Sequence, residues 1–309
     1  MLTPLPPTAG WFVALAALSL LGLAGGLGLS RGPGWAMRGA LVVGGAAMAV
    51  WVYLVKNPSV AVRVVPVEVL SRIEGVAAVP AFMLICGVAW GTAGALRQRR
   101  LAMGAAVVGA IYLLHGGLWM LQHTPPARSF GREAHAVVLQ SQDYSCVPAA
   151  AATALNRLGV PSDEATMAKL TQTRAGTGST LLRAMDGLRQ RLVGTGIDVV
   201  VAEPAYDTLR RLPMPALTPL QFEPSRRHMV TLIRVGRGSV TIVDPMEGEM
   251  DMTREHFLRC YRREVLLFVG GRRPMQWATP RRMARRVVEA EGGVADDPGF
   301  DAAASAVSP

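Results

Sequence analysis

The sequence predicts two structural classes in one chain: an all-α unit that spans a membrane, followed by an α+β domain. Three observations carry this reading. Four apolar stretches free of Asp, Glu, Lys and Arg, Trp11–Leu29, Gly39–Val55, Gly75–Leu96 and Leu101–Leu121, occupy the first part of the chain, each near the roughly twenty residues a helix needs to cross a bilayer. Half of all residues are hydrophobic while only 17% are charged, as expected of a partly embedded protein. Beyond Gln122 the sequence becomes mixed, first with helical and then with alternating patterns.

The organisation predicted is a four-helix transmembrane domain over 1–122, a linker over 123–135 containing Pro125 and Pro126, an α+β domain over 136–272 and a basic, disordered tail over 273–309. No Lys or Arg precedes Trp11 and no cleavage pattern follows the first stretch, so a retained helix is expected rather than a signal peptide. Gly22 with Gly26, and Gly87 with Gly91, have the spacing that lets membrane helices approach closely. His115 is the one ionisable group well inside a span, and a hydrogen bond across the bundle is its expected role.

Multi-pass insertion in the cell (inner) membrane is expected. With four spans both ends share a side, and the loops carrying Arg31, Arg38, Arg97, Arg99 and Arg100 favour an extracytoplasmic second domain. Lys56, Arg63 and Arg72 in the middle loop, and the tail segment PRRMARRVVEAE, favour the cytoplasmic alternative.

In the second domain, Asp143, Tyr144 and Ser145 read as a turn, Pro148 suits a first helical turn, and AAAATALNRL continues as a helix that Gly159 ends. Ser162, before Asp163 and Glu164, is expected to start a second helix. The segment TRAGTGST, 173–180, reads as a turn leading to a helix over Leu181–Leu192 capped by Ser179 or Thr180. An antiparallel sheet is expected from about Asp198 to Gly270. Within it, His228–Val235, a Gly-Arg-Gly turn and Ser239–Val243 form a β-hairpin. A helix over Thr253–Arg262 and a strand over Glu264–Gly270 complete the domain.

These elements gather a chemistry. Cys146 falls at a helix N-terminus, where unpaired N–H groups and the helix dipole favour the thiolate. Alone, such a cysteine reads more readily as a small buried packing residue. His228 opens one strand of the hairpin and Asp244 closes the other, so both come to the same end of the sheet. A thiol, a base and an orienting carboxylate are the parts of a thiol hydrolase. Gln140, with Gln142 as its competitor, could supply an amide to an oxyanion.

Other chemistries lack their residues. The net charge of +10 invites a nucleic-acid reading, but neither interleaved aromatics nor a recognition-helix pattern accompanies the arginines. There is no HExxH, His256 has no second histidine at metal spacing, and the three cysteines form no disulfide framework. Neither a metal nor a cofactor is expected. The only lysines, Lys56 and Lys169, are followed by Asn57 and Leu170, so no Gly-Lys-Ser/Thr phosphate loop is present.

The combination of Gln140 and Cys146 in QSQDYSCVPAA, the loop TRAGTGST, His228 opening a strand, Asp244 in DPMEG and the following Phe257 and Glu264–Gly270 resembles the C39 peptidases, papain-like domains that process bacteriocin precursors. The resemblance covers roughly Ala136 to Gly270. It implies a papain-like cysteine peptidase fold with Cys146 as nucleophile, His228 as general base, Asp244 as orienting partner and Gln140 as oxyanion donor. It further implies a peptide or protein substrate, with a double-glycine leader as a candidate, and a separate ABC transporter as a partner beside the lipid bilayer. Where the family commonly has glycine after the cysteine this chain has Val147, which would crowd the site or narrow its substrates. The alternative is a catalytically silent C39-like module that binds leader peptides for a separate transporter.

Overall fold

The computed structural model describes residues 7–121, 137–223 and 226–270. The chain divides into two compact units, Met1–Thr124 and Pro125–Pro309. The linker predicted over 123–135 and the tail over 273–309 lie outside the described residues.

The first unit contains α1 (Pro7–Leu29), α2 (Gly34–Lys56), the short α3 (Pro58–Val64) and α4 (Val67–Ile73), then α5 (Val79–Thr92) and α6 (Leu96–Leu121). Three segments, Gly10–Leu29, Gly34–Lys56 and Leu96–Gly117, are long and apolar enough to cross a membrane. The third predicted span differs. Its helix begins only at Val79, with Pro80 in the first turn, and stops where Ala93 turns extended (φ −65°, ψ 115°). Fourteen residues at about 1.5 Å each fall short of a bilayer core of about 30 Å.

Packing shows how α5 is accommodated. The two glycine pairs meet across α1 and α5: a Cβ added at Gly22 would stand 2.6 Å from the Pro80 carbonyl oxygen, and one at Gly26 would stand 2.8 Å from Val88 N. Gly87 abuts Leu23 and Gly26, and Gly91 abuts Ser30. These contacts make α1 and α5 parallel. Phe82 lies against Gly109 and Val76 against Gly116, so α6 runs antiparallel to α5. Replacing Gly26 by Leu is expected to force α1 from α5 and destabilise the unit by about 2 kcal/mol or more, read as a lower unfolding temperature of the full chain in detergent.

His115 does not bridge the bundle. The side of α6 that packs inward carries Gly109, Leu113 and Gly116, spaced by four and three residues. His115 falls off that stripe and is exposed.

The second unit begins with α7 (Cys146–Arg157), α8 (Glu164–Leu170), α9 (Leu181–Leu192), β1 (Ile197–Ala202) and α10 (Tyr206–Leu209). It continues through β2 (Ala216–Glu223), β3 (Arg226–Val235), β4 (Ser239–Asp244), β5 (Gly248–Thr253), α11 (Arg254–Cys260) and β6 (Val265–Gly270). The six strands form one antiparallel sheet ordered β1-β6-β2-β3-β4-β5. The architecture is α+β, as the sequence predicts.

Alanines let α7 sit inside the domain. Ala149, Ala150, Ala151, Ala152 and Ala154 are at most 1% exposed, so every face of the helix is covered, which large side chains at these positions would prevent. Thr231 of β3 donates its hydroxyl to Ala150 O (2.9 Å), and Thr153 accepts from Val138 N (2.9 Å). Gly159, at φ +77°, closes the helix, and Val160 N reaches back to Leu155 O at 2.9 Å. The second helix is capped by Asp163, not Ser162: Asp163 Oδ1 accepts from Thr166 N at 2.7 Å. Thr180 caps α9, accepting from Arg183 N at 3.3 Å.

The other face of the sheet packs Leu220, Val230, Leu232 and Ile242 against Tyr206 of α10 and Phe257 of α11. Phe257 is fully buried, with the Tyr261 ring stacked on it at 4.9 Å.

Candidate active site

One β-bulge sets the site. Near the β3–β4 turn, Val235 pairs with Val240 and Arg234 with Thr241, but further along Leu232 pairs with Ile242 and Thr231 with Val243. The extra residue in β3 shifts the register by one. In the register of the turn, Asp244 would oppose Thr231, whose side chain faces α7. After the shift it opposes Val230, on the face that His228 shares by alternation. The hairpin spacing alone points to the same end of the sheet; the bulge supplies the same face.

There His228 Nε2 lies 2.9 Å from Asp244 Oδ1, with the two residues 8% and 7% exposed. Asp244 Oδ1 also accepts from Met246 N at 2.7 Å, which fixes the carboxylate. With Nε2 engaged, Nδ1 is the ring nitrogen left for a second partner. That partner is Cys146, whose thiol is hydrogen-bonded to His228. Cys146 is a free, partly buried thiol on the first residue of α7.

The electrostatics couple the three. Burial alone would push the Cys146 thiol up, but its hydrogen bond with His228, the backbone amides of Met229 and Val147 and the charge on His228 outweigh it, and the thiol lies below its ordinary value. For His228 burial opposes the charged ring, yet the hydrogen bonds and charges of Asp244 and Cys146 raise it to about 9. Asp244 is disfavoured as an anion by burial and is nevertheless held below the usual carboxylate range by His228 and the Met246 and Glu247 amides. A lowered thiol beside a raised imidazole favours a thiolate–imidazolium pair next to the carboxylate.

The turn before the nucleophile is ordered by its own hydrogen bonds. Ser145 does not cap α7 with its side chain; its Oγ donates to Gln142 O (2.9 Å) and accepts from Gln142 N (3.1 Å). The Val147 N–H at the helix start is among the groups that stabilise the thiolate. Gln140 donates its backbone N–H to Pro245 O at 2.8 Å, next to Asp244. Its side-chain amide donates to Gln142 O at 2.9 Å, so one N–H is engaged within the turn and one remains. Gln142, the competing glutamine, serves the turn through its backbone.

The loop 173–180 is a tight turn, with Arg174 and Gly178 bridged and Gly176 and Gly178 at φ +76° and +71°. A Cβ at Gly178 would stand 2.9 Å from Tyr144 O, so this loop packs against the turn that leads to Cys146. Val147 is buried, 4% exposed.

Two features were not read from the sequence. Phe222 of β2, 46% exposed, places its ring 6.2 Å from His228 and 6.4 Å from His256. Glu164 is buried and accepts from Ser141, on the pre-nucleophile turn. His256 itself is exposed.

Residues 134–272 match the model of the peptidase C39 family. A protein of Methanothermobacter thermautotrophicus with no assigned function is 31% identical over 140 residues, covering 42% of this chain and 86% of that protein. A second, from Methanothermobacter marburgensis, is 30% identical over 131 residues, with 42% and 86% covered. Among solved structures, the peptidase domain of Streptococcus ComA, described as a bi-functional ABC transporter involved in quorum sensing, is similar at 19% identity and a TM-score of 0.39, covering 43% of this chain and 96% of that one. A double-glycine-motif protease from an AMS/PCAT transporter, in complex with a leader peptide, is similar at 19% identity and a TM-score of 0.37, with 46% and 96% covered.

Proposed function

We propose, from the premise that this chain belongs through residues 134–272 to the peptidase C39 family, that it is a membrane-anchored cysteine peptidase acting through Cys146, His228 and Asp244. The observation that carries this is the buried His228–Asp244 hydrogen bond at 2.9 Å, beside a helix-start thiol, Cys146, that His228 holds below its ordinary value.

In this reading the Cys146 thiolate attacks the scissile carbonyl carbon, and the carbonyl oxygen becomes an oxyanion. The Cys146 N–H and the Gln140 side-chain amide stabilise that charge. His228, charged by the pair, gives its proton to the leaving amine as the C–N bond breaks, which leaves a thioester on Cys146. Neutral His228 then takes a proton from water, hydroxide adds to the thioester, and the acid leaves as the thiolate is restored. Asp244 holds the ring orientation and its charged form.

The first substrates to try are leader-type peptides with a Gly-Gly pair before the scissile bond, since one similar solved structure is a double-glycine-motif protease in complex with a leader peptide. A transporter partner would be a separate chain in this proposal. The silent-module alternative is disfavoured because peptide binding alone needs neither a lowered thiol nor a raised imidazole. Incubation of the full chain in nanodiscs with a Gly-Gly peptide ester, quenched in acid, tests the reading: intact-mass analysis is expected to show an acyl adduct on Cys146. Binding of the peptide with neither adduct nor product would install the silent module instead.

For placement we propose four crossings, the third shared by α5 and the turn before it. The Arg31, Arg38, Arg97, Arg99 and Arg100 side is then cytoplasmic and the peptidase domain extracytoplasmic. Protease digestion of the domain in intact spheroplasts is expected; its protection there would reverse the placement.

A further inference from the structure

We propose that Glu164 is a positioning residue that sets the oxyanion side of the site by clamping Ser141, and this rests on the peptidase reading above. The turn from Gln140 to Ser145 carries two functional groups, the Gln140 amide and the approach to Cys146. Two hydrogen-bonded anchors tie its first residues to distant parts of the chain. One is Gln140 N to Pro245 O at 2.8 Å. The other is Glu164, whose Oε1 accepts from Ser141 N at 2.9 Å and from Ser141 Oγ at 3.1 Å, while Oε2 lies 3.2 Å from the same N.

The chemistry of Glu164 makes this more than a local contact. It is 5% exposed, and a carboxylate that far from water is tolerated only when donors fill its lone pairs. Ser141, 23 residues away, supplies those donors with both of its polar hydrogens. The start of α8 does not need this carboxylate, because Asp163 already takes Thr166 N and Thr166 Oγ1. Glu164 is thus left to hold the turn. Ser141 sits between Gln140 and Gln142, whose carbonyl holds the Gln140 amide, so the clamp fixes the oxyanion donor. The Cys146–His228–Asp244 series is built from α7, β3 and β4 and does not pass through Glu164.

That separation gives a test. Full-length protein in nanodiscs is titrated with acetyl-glycyl-glycinal, which forms a hemithioacetal on the thiol and needs the oxyanion site. In parallel it is alkylated with iodoacetamide across pH, which needs only the thiolate. Glu164→Ala and Gln140→Ala are each expected to weaken aldehyde binding by about tenfold or more, and the double variant by no more than the larger single loss. The pH profile of alkylation stays that of the wild type in Glu164→Ala. Glu164→Gln can accept from Ser141 N and donate to Ser141 Oγ, and is expected to restore binding to within about threefold. Since Glu164→Ala strands the Ser141 N–H and can lower stability, Ser141→Ala serves as a second variant, with a smaller loss in the same direction.

Wild-type aldehyde affinity in Glu164→Ala, strictly additive losses, or a shifted alkylation profile in Glu164→Gln would each overturn the clamp while leaving the peptidase reading in place. Wild-type protein that alkylates but never binds the aldehyde would overturn the peptidase reading itself, and the clamp with it.

Discussion

Replacing Cys146 by Ala is expected to lower peptide hydrolysis by about 10⁴-fold or more, the loss seen when a covalent nucleophile is removed and only binding and oxyanion contacts remain. The fold should survive, because Cys146 is a partly exposed residue at the first position of α7 and alanine suits that helix. Turnover of a Gly-Gly peptide by the full chain, beside an unfolding curve, is the measurement. Retained turnover with the thiol gone would assign the chemistry elsewhere. Affinity for the peptide is expected to persist, since the substitution removes one sulfur and leaves the Gln140 turn and the loop 173–180 in place.

Asp244→Asn has the second largest expected effect, and its signature is a pH shift. In the wild type the ion pair exists between the lowered value of Cys146 and the value of about 9 of His228. Activity therefore rises as pH climbs through the first and falls through the second. Asparagine removes the charge and the acceptor that hold the imidazole high, so the alkaline limb should move down toward or below the ordinary histidine value of about 6.5. A loss of about 100-fold at pH 8 is expected, shrinking at pH 6. An alkaline limb unmoved in Asp244→Asn would show that the carboxylate does not govern His228.

Stability follows with the opposite dependence for each partner. His228, raised in the folded state, stabilises fully below about 6.5, and this is lost as pH climbs through about 9. Asp244, lowered, stabilises above the usual carboxylate value of about 3.9, and this is lost as pH falls through its folded value. The variant should lose the Asp244 dependence and keep only the part of the His228 dependence that Cys146 supplies.

Much of the second unit was legible because its signals are short-range. The start at Cys146, the stop at Gly159, the helix Leu181–Leu192 and the two hairpin runs are set by neighbouring residues, and the structure has them there, with the first strand beginning at Arg226, two residues before His228, and the second including Asp244. Pairing of His228 with Asp244 follows from the hairpin but not from it alone. The bulge between Leu232 and Arg234 decides which face Asp244 joins, and no residue in that stretch announces an extra position. Glu164 was legible only as an acid at a helix start; its partner Ser141 stands 23 residues away, beyond any local pattern. Asp163 displaces Ser162 as cap because one carboxylate takes both the N–H and the hydroxyl of Thr166.

In the first unit, apolarity marked where the long helices lie but not where helix would break. Gly75–Leu96 is apolar throughout, yet its first four residues form turns and α5 starts after them. His115 was assigned by depth, whereas its exposure depends on which stripe of α6 the glycines turn inward.

The central claim is that Cys146 and His228 form a reactive pair, and the rate of iodoacetamide alkylation at Cys146 against pH, in wild type and in His228→Ala, tests it most directly. Adducts mapped by mass spectrometry separate Cys146 from the buried Cys86 and Cys260. The expected result is rapid alkylation well below the free-thiol value of about 8.5 in the wild type, displaced upward in His228→Ala as the charged partner is lost. An ordinary thiol titration, identical in both proteins, would contradict the pair and with it the peptidase chemistry proposed for this chain.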